Sequence, residues 1–266
     1  MSDEAPRGYN PRLAKTITIY GRKPVLEALQ DPSLSCLTLH WARSNQAKGV
    51  GKEIIDIAAT KGIECREHSR DTLSRISRNG KQDQGVALDI LCPSFATPDA
   101  LAERGCESGL RVLALDGITN PQNVGMIIRS AVAGGIDAII YPRKGVAAMG
   151  PLVIKASVGT VFRAPLVYCD ELSFTLNQLK QSGFSIASLE GSANVSLFEY
   201  QQQQATIFVL GSETDGVSNA ISTMADIRLR IPMAAGIESL NVAVAASLIA
   251  YAPSMTGQGP TSPALP

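Results

Sequence analysis

The sequence has few metal-binding side chains, no net charge and no long hydrophobic run, and each deficit excludes a class of protein. Two histidines and five cysteines without a CxxC pair argue against a zinc site. Lys and Arg number 24, as do Asp and Glu, which excludes a chain that holds nucleic acid by overall charge alone. The most apolar stretch, residues 240–252, is shorter than the roughly 20 residues of a membrane-spanning helix. A hydrophobic fraction of 45% is typical of an ordinary globular protein.

The ends of the chain are polar. It begins with MSDEAPRGYNPR, which lacks the apolar core of an export signal, so we expect a cytoplasmic protein with buried, reduced thiols. Proline and glycine are concentrated at both ends, and residues 1–15 and 254–266 are predicted to be flexible tails. Basic residues are in excess over residues 1–92 and acidic residues over 93–266, which indicates different tasks for the two halves.

Two segments of alternating helix and strand patterns flank a stretch rich in Pro, Ser and Gly. Residues 16–92 predict a compact α/β domain, residues 93–108 a linker and residues 109–253 a larger domain. In the larger domain, continuously apolar strands such as 206–210 alternate with helices, and a further strand is predicted at 162–167. Strands that are apolar on both faces belong in parallel sheets covered by helices, so the residues alone predict an open, doubly wound sheet.

Polar loops follow three predicted strands, after Leu115, Leu210 and Ile231. Ligands bind beyond the carboxyl ends of strands in open α/β sheets, and each loop leads to a helix start with free backbone N–H groups. Ordinary turn chemistry would account for any one loop, but three together favour a ligand site. Neither GxGxxG nor GxxxxGK[ST] occurs, so the expected ligand is not a dinucleotide or a P-loop nucleotide.

Three motifs lie at these loops: NPQNVGMIIRSA at 120–131, VLGSETDGVS at 209–218 and IPMAAGIESLNVAVAAS at 231–247. In order and spacing they resemble the SpoU, or TrmH-like, RNA ribose 2'-O-methyltransferases. Residues 19–91 are similar to the small substrate-binding domain that precedes the catalytic domain in members acting on ribosomal RNA. The resemblance implies methylation of a ribose 2'-hydroxyl, with a guanosine of 23S rRNA favoured as the substrate. A tRNA methyltransferase and a non-catalytic RNA-binding protein of the same fold are the alternatives.

The resemblance also implies a fold that periodicity does not predict. It implies a trefoil-knotted, parallel-sheet methyltransferase domain preceded by a small L30e-like α/β RNA-binding domain. The loops of the second and third motifs would form the knot and bind S-adenosylmethionine, and a homodimer would complete the site. Knots are nearly absent among folds, so only the resemblance overrides the expectation of an unknotted sheet.

Residue roles are carried over from the same motifs. The resemblance implies five catalytic residues: Asn123, Arg129, Glu213, Ser239 and Asn241. It implies that the cofactor is bound through Gly211, Ile231 and Leu240, with Gly211 leaving room for close approach of the backbone to the ligand. No metal is implied.

In the family that these motifs resemble, the arginine at the position of Arg129 is thought to take part in activating the ribose hydroxyl. Deprotonating a guanidinium at neutral pH costs roughly 7.5 kcal/mol, which argues against a literal base. We expect Arg129 to bind a phosphate and stabilise the developing alkoxide, with the proton leaving to solvent. Glu213 is expected to orient Asn123 or Arg129. A surface salt bridge for Arg129 and a helix N-terminal carboxylate for Glu213 are the structural alternatives.

One residue departs from the family pattern. The substrate-binding domain typically closes with His-Gln-Gly-Val, but here Asp83 precedes Gln84, Gly85 and Val86. The departure puts the RNA contact or packing role of that histidine in doubt and allows a different substrate.

A basic segment precedes Asp83. Because Arg75 and Arg78 are three apart, they would share a helical face if residues 71–77 are helical. Its cations are predicted to contact RNA phosphates, with a merely solvated surface as the alternative; they are Arg66, Arg70, Arg75, Arg78 and Lys81.

Overall fold

The computed structural model describes residues 15–105, 109–235, 237 and 239–255. The chain divides into two compact units, Met1–Ser94 and Phe95–Pro266. The predicted tails lie outside the described residues, apart from Lys15 and the two residues at which the last helix ends.

A four-stranded sheet is the centre of the first unit. Its strands are β1 (Thr16–Tyr20), β2 (Ser35–Ala42), β3 (Glu64–His68) and β4 (Val86–Leu91). In the order β1-β4-β2-β3, β4 is antiparallel to both neighbours and β2 is parallel to β3. The sequence TITIY of β1 alternates, so that both isoleucines are buried on one face.

Residues 15–94 also form three helices: α1 (Arg22–Gln30), α2 (Val50–Thr60) and α3 (Arg70–Ser77). The hydroxyl of Ser69 accepts a hydrogen bond from the Thr72 N–H (3.2 Å) and caps the start of α3. The helix ends at Ser77 because Arg78 adopts a left-handed conformation, with φ +54°. The prediction that Arg75 and Arg78 share a helical face is therefore wrong.

Polar side chains form a hydrogen-bonded chain across this sheet. The Thr18 hydroxyl donates to Asp89 (2.6 Å), the other Asp89 oxygen contacts His40 Nε2 (2.9 Å), and His40 Nδ1 contacts His68 Nε2 (3.0 Å). Burial, together with the neighbouring His40, lowers the pKa of His68. Both histidines thus have partners, and no cluster of three metal-binding side chains occurs in the described part of the chain.

A seven-stranded sheet is the centre of the second unit. Its strands are β5 (Arg111–Leu115), β6 (Ala138–Pro142), β7 (Leu166–Cys169), β8 (Ser185–Leu189), β9 (Val195–Ser196), β10 (Thr206–Leu210) and β11 (Ile227–Arg230). The order is β7-β6-β5-β10-β8-β11-β9, and each neighbouring pair is parallel. This confirms the parallel α/β fold, while the trefoil knot stays a prediction.

Six helices accompany this sheet in the described residues: α4 (Pro98–Ala102), α5 (Pro121–Ala133), α6 (Pro151–Ala156), α7 (Leu172–Gln181), α8 (Asn219–Met224) and α9 (Val242–Met255). Helix α5 packs against both α6 and α9. Glycines permit the close approach: a Cβ on Gly125 would lie 2.5 Å from the Cβ of Ala156, and one on Gly134 2.5 Å from the Cβ of Ala250.

Arg111 joins the C-terminal end of α5 to α9. Its guanidinium donates to the carbonyl oxygens of Ala250 (2.8 Å), Gly134 (3.0 Å) and Gly135 (2.9 Å). Burial lowers the pKa of this guanidinium, and Asp137 opposes that effect. The carbonyls of Gly134 and Gly135, which follow the end of α5, thereby gain a donor, and the two helices that carry the first and third motifs are fixed together.

Residues 95–105 of the segment predicted as a linker, 93–108, belong to the second unit. Phe95 and Leu101 are each 2% exposed, and α4 packs against α7 and β7. The Thr97 hydroxyl accepts a hydrogen bond from the Ala100 N–H (3.2 Å) and caps α4. Proline is common at the first position of a helix as well as in loops. The Pro, Ser and Gly content of this segment therefore does not distinguish a linker from a helix start.

The strand predicted at 162–167 exists, but it begins four residues later than predicted. A 3-10 helix occupies Thr160–Phe162, and β7 begins only at Leu166. The N–H groups of Arg163 and Ala164 donate to carbonyls three residues earlier, so they are used locally and cannot pair with a neighbouring strand.

The described cysteines differ in exposure. Burial raises the pKa of Cys92 to about 12 and that of Cys169 to about 11, as expected for buried thiols. Cys65 is exposed, which contradicts the expectation of buried thiols. Cys106 lies outside the described residues. No helix in the described ranges is long and apolar enough to span a membrane.

Candidate active site

The strand order places the first two motif loops side by side. Strand β10 lies between β5 and β8, so the loops that follow Leu115 and Leu210 are neighbours. The Asp116 N–H donates to the Leu210 carbonyl (2.8 Å), and the Asp116 carboxylate accepts from the Ser218 N–H (2.7 Å). The chain runs from β5 toward β7 and then returns to the other side of β5. This is a topological switch point, where ligands bind in open sheets.

The first motif starts a helix at this point. The Asn120 side chain accepts from the Gln122 N–H (2.9 Å), and Pro121 occupies the first position of α5. The Asn120 cap satisfies one of the N–H groups that a helix start leaves unpaired, and Pro121 has no N–H group. Together they fix the start of the helix. As a result Asn123 points inward and is only 4% exposed.

Asn241 connects the three motifs. Its Nδ2 donates to Asn123 Oδ1 (3.1 Å) and to Glu213 Oε1 (2.7 Å). Its Oδ1 accepts from the Ala243 N–H (2.9 Å) and so caps the first turn of α9. The amide group thus uses both N–H donors and its oxygen at once. The structure brings together three of the predicted catalytic residues, Asn123, Glu213 and Asn241.

The partner predicted for Glu213 is wrong. Among the described residues, the Glu213 carboxylate accepts a side-chain hydrogen bond from Asn241, not from Asn123 or Arg129. Asn123 presents its carbonyl oxygen and Glu213 a carboxylate oxygen, so the two acceptors need a donor between them, and the Asn241 amide is that donor.

Arg129 lies apart from this network. It is exposed on α5 and makes no ion pair or side-chain hydrogen bond with any described residue. At about 100° per residue, six residues place its side chain roughly 120° around the helix from Asn123. The guanidinium is therefore free to bind an anion.

Gly211 is required by its own loop. A Cβ at this position would lie 2.0 Å from the carbonyl carbon of Gly216 and 2.1 Å from the amide nitrogen of Val217. The loop is held closed by reciprocal backbone hydrogen bonds between Ser212 and Gly216 (3.0 and 3.1 Å). The expectation that Gly211 leaves room for a ligand is wrong, because backbone of the same loop occupies that space.

The third motif loop is exposed and offers main-chain groups. Ile231 and Leu240 are half-buried and Ser239 is exposed. Among the described residues of 231–240, Ile237 alone donates a main-chain hydrogen bond to another described residue. Gly236 and Glu238 lie outside the described residues. This loop can therefore donate hydrogen bonds to a ligand.

The five predicted RNA contacts differ in their surroundings. Arg66 binds both carboxylate oxygens of Glu64 (2.8 and 2.9 Å), and Arg70 pairs with Asp83 (3.0 Å). The other three cations are exposed and have no ion pair within the described ranges; they are Arg75, Arg78 and Lys81.

Sequence reasoning missed two residues that hold the loops. Asp116 connects the first loop to the second through Ser218, and Asn120 caps α5. A carboxylate directly after a buried strand, and an Asn-Pro pair before a helix pattern, are signals that would have found them.

Comparison with known proteins identifies families that match both units. The chain matches the SpoU rRNA Methylase family over residues 111–251 and the RNA 2'-O ribose methyltransferase substrate-binding family over residues 18–93. A protein of Mycolicibacterium gilvum named as an uncharacterized tRNA/rRNA methyltransferase is 31% identical over 245 residues, which cover 91% of this chain and 77% of that protein.

Two solved structures are similar. The SpoU methyltransferase AviRb from Streptomyces viridochromogenes, in complex with AdoMet, has a TM-score of 0.64 at 23% identity and covers 93% of this chain and 92% of its own. The TrmH/SpoU tRNA modifying enzyme of A. aeolicus has a TM-score of 0.50 at 26% identity and covers 60% of this chain and 83% of its own. With its three motifs joined at Asn241, the chain belongs to the SpoU rRNA methylase family.

Proposed function

We propose that this chain transfers a methyl group from S-adenosylmethionine to a ribose 2'-hydroxyl of structured RNA, with a guanosine of 23S rRNA as the favoured target. The single observation that carries the proposal is the Asn241 amide, which binds residues of the other two motifs at the switch point of the sheet. This arrangement fixes the three motif loops relative to one another, which suits a site that must hold a cofactor and a ribose in one geometry. We further propose that it acts in the cytoplasm, where its RNA substrates are found.

The residues present fit the cofactor. S-adenosylmethionine would supply a methyl group on a sulfonium centre, which is an electrophile without further activation. The exposed loop 231–240 offers main-chain N–H groups and the apolar side chains of Met233 and Ile237, which are 36% and 56% exposed. Such a loop suits a ligand with an adenine ring and polar ends, and Ile231, Leu240 and the loop that starts at Gly211 would hold it.

Within this proposal, Arg129 binds a phosphate of the RNA next to the target ribose. A guanidinium forms paired, charge-assisted hydrogen bonds with phosphate and can stabilise negative charge that develops on the attacking oxygen. The proton of the hydroxyl leaves to solvent. Asn123, Glu213 and Asn241 fix the three loops, and Ser239 at the edge of the third loop contacts the substrate.

The experiment measures transfer of labelled methyl groups to 23S rRNA and to tRNA, both purified from a strain that lacks the gene, followed by mapping of 2'-O-methylation. We expect one ribose of 23S rRNA to be methylated. Arg129→Ala should lower kcat by about 10² to 10³, the usual cost of removing one preorganised charge donor, with unchanged S-adenosylmethionine affinity.

The matched control is Arg163→Ala, which removes another exposed arginine of the same unit. It should retain parental activity. Methylation of tRNA alone would select the alternative substrate, and no transfer to either RNA would refute the proposed function. Equal activity of the two arginine variants would refute the role of Arg129.

We also propose that the active species is a homodimer. Helix α9 is apolar on its exposed side as well as its buried side: Val244, Tyr251 and Met255 are 46%, 41% and 64% exposed. Their spacing of seven and four residues places them on one stripe, and Met126 of the adjacent α5 adds a fourth exposed apolar side chain. A helix that is hydrophobic all round is normally buried, so this face calls for a partner, and a second copy is the expected one.

Light scattering should show a dimer for the parent and a monomer with strongly reduced activity for Val244→Glu. The new carboxylate would stay solvated in the monomer but would be buried in the dimer. The cost of burying this charge should therefore prevent dimer formation. A parent protein that is monomeric and fully active would refute this assembly.

A further inference from the structure

A carboxylate that the proposed reaction does not use lies at the end of β8. Glu190 directly follows this strand, and its side chain is 19% exposed. Strand β8 lies between β10 and β11 and is parallel to both. The loops proposed to hold the cofactor follow β10 and β11. Since the carboxyl ends of parallel strands meet at one edge of a sheet, Glu190 lies at the edge from which both loops emerge.

Main-chain hydrogen bonds fix Glu190 at this position. Its N–H donates to the carbonyl of Leu229 (2.9 Å), which extends the pairing of β8 with β11. Its carbonyl accepts from the Ala193 N–H (3.1 Å), where the chain turns away from the strand. The backbone of Glu190 is thus held independently of its side chain, so a substitution here should leave the strand pairing intact.

One carboxylate oxygen of Glu190 holds the side chain in place. Its Oε1 accepts hydrogen bonds from the hydroxyls of Ser188 and Ser222 (both 2.7 Å), and the Nε of Arg228 lies 3.7 Å from the same oxygen. Burial by itself raises the pKa of Glu190, but the two hydrogen bonds and the charge of Arg228 outweigh it and lower the pKa below its ordinary value. The carboxylate is therefore ionised at neutral pH.

The other oxygen, Oε2, has unused hydrogen-bonding capacity. It accepts no hydrogen bond from any residue in the described ranges. Both oxygens of an ionised carboxylate are acceptors, and a bond to a charged acceptor is stronger than one between neutral groups. Oε2 of Glu190 is therefore a charged acceptor in a fixed position, at the edge of the sheet where ligands bind in open α/β folds.

We propose that Glu190 Oε2 accepts a hydrogen bond from a ribose hydroxyl of S-adenosylmethionine, an inference that rests on the proposed function and adds a side-chain contact to its cofactor site. A ligand held at its adenine and methionine ends by the loops after β10 and β11 has its ribose in the middle, opposite the strand between them. An acidic residue near the sheet binds ribose hydroxyls in the same way in dinucleotide-binding folds.

The test measures binding of S-adenosylhomocysteine, and of its 2'-deoxy and 3'-deoxy forms, to full-length proteins by calorimetry. Losing a hydrogen bond to a charged group should make Glu190→Gln bind S-adenosylhomocysteine about tenfold more weakly than the parent. For the deoxy form that lacks the contacted hydroxyl, Glu190→Gln and the parent should bind equally, because neither can make the bond.

The matched control is Glu199→Gln, which makes the same chemical change at an exposed glutamate after β9. The Glu199 carboxylate has no hydrogen bond or ion pair with any described residue, so this variant should match the parent for every ligand. Circular dichroism checks folding. Ser222→Ala, which removes one bond that fixes the Glu190 carboxylate, should show the same ligand pattern with a smaller loss and decides the test if Glu190→Gln does not fold.

Equal weakening of all these ligands by Glu190→Gln would overturn the proposal, because it would show a purely structural role for the carboxylate. Unchanged affinity for S-adenosylhomocysteine would overturn it as well. A further ligand, 5'-methylthioadenosine, keeps the ribose but lacks the amino-acid part, and it should show the same loss. If it shows none, the carboxylate binds the ammonium group of the cofactor and the ribose assignment is wrong.

Failure of the proposed function gives a different result. A parent protein that shows this ligand pattern but transfers no methyl group to 23S rRNA or to tRNA would refute the RNA reaction and leave the ribose contact standing. A parent protein that binds no S-adenosylhomocysteine would refute both.

Discussion

Replacing Asn241 with aspartate should lower kcat/KM for RNA methylation by about 10² to 10³ while the protein stays folded. The substitution changes one NH2 group to an oxygen and leaves the size of the side chain unchanged. In the parent, that NH2 group donates to Asn123 (3.1 Å) and Glu213 (2.7 Å). In the variant, three acceptor oxygens converge on one point.

The size of the effect follows from two lost hydrogen bonds and one new repulsion. A hydrogen bond to a charged group contributes about 1.5 to 3 kcal/mol, and the Glu213 carboxylate would face a second carboxylate at short range. The bond between the neutral amides of Asn241 and Asn123 contributes about 0.5 to 1.5 kcal/mol, so the two bonds together contribute about 2 to 4.5 kcal/mol. This corresponds to about 10² to 10³ in rate if the loops must keep their positions for reaction. The cap of α9 survives, because an aspartate oxygen still accepts from the Ala243 N–H, so we expect helix content to remain.

The matched control is Asn219→Asp, the same chemical change at an exposed residue at the start of α8. It should keep parental activity. Combining Asn241→Asp with Glu213→Gln replaces one carboxylate by an amide that can donate, and should recover part of the lost activity. Full activity of Asn241→Asp alone would show that the network does not hold the reactive arrangement.

Local patterns predicted the secondary structure best where a strand is apolar throughout. The apolar runs at 86–91 and 206–210 each predict a strand, and β4 and β10 have these bounds, since each run is continuous or nearly continuous and is bounded by polar residues. The pattern of residues 45–60 predicts a helix, which is shorter in the structure and begins at Val50, after Gly49 with φ +54°. A left-handed glycine stops helix propagation, and composition alone does not report its conformation.

The site was predictable in its residues but not in its connections. The motifs predicted Asn123, Glu213 and Asn241 as catalytic residues, and the structure brings these three side chains together. Which residue binds which depends on the insertion of β10 between β5 and β8, a tertiary arrangement that places residues 118 positions apart within 3.1 Å. No periodicity encodes that order.

Gly211→Ala should abolish measurable S-adenosylmethionine binding, and with it methylation. A single Cβ would lie 2.0 to 2.2 Å from backbone atoms of Gly216 and Val217, far inside contact distance. Backbone cannot rotate away as a flexible side chain can, so the loop that closes between Ser212 and Gly216 must open. Its opening also moves Glu213 away from Asn241.

The control lies in the same loop. A Cβ on Gly216 would meet nothing within 4 Å, but this residue has φ +69°, so Gly216→Ala should cost only about 1 to 2 kcal/mol of backbone strain. We therefore expect Gly216→Ala to bind S-adenosylmethionine with affinity reduced by roughly tenfold and Gly211→Ala to show no heat of binding in calorimetry, with both proteins folded by circular dichroism. The loop lies at the surface at the end of β10, so its disruption should leave the sheet intact. A folded Gly211→Ala protein with parental affinity would mean that the closed loop is not part of the cofactor site.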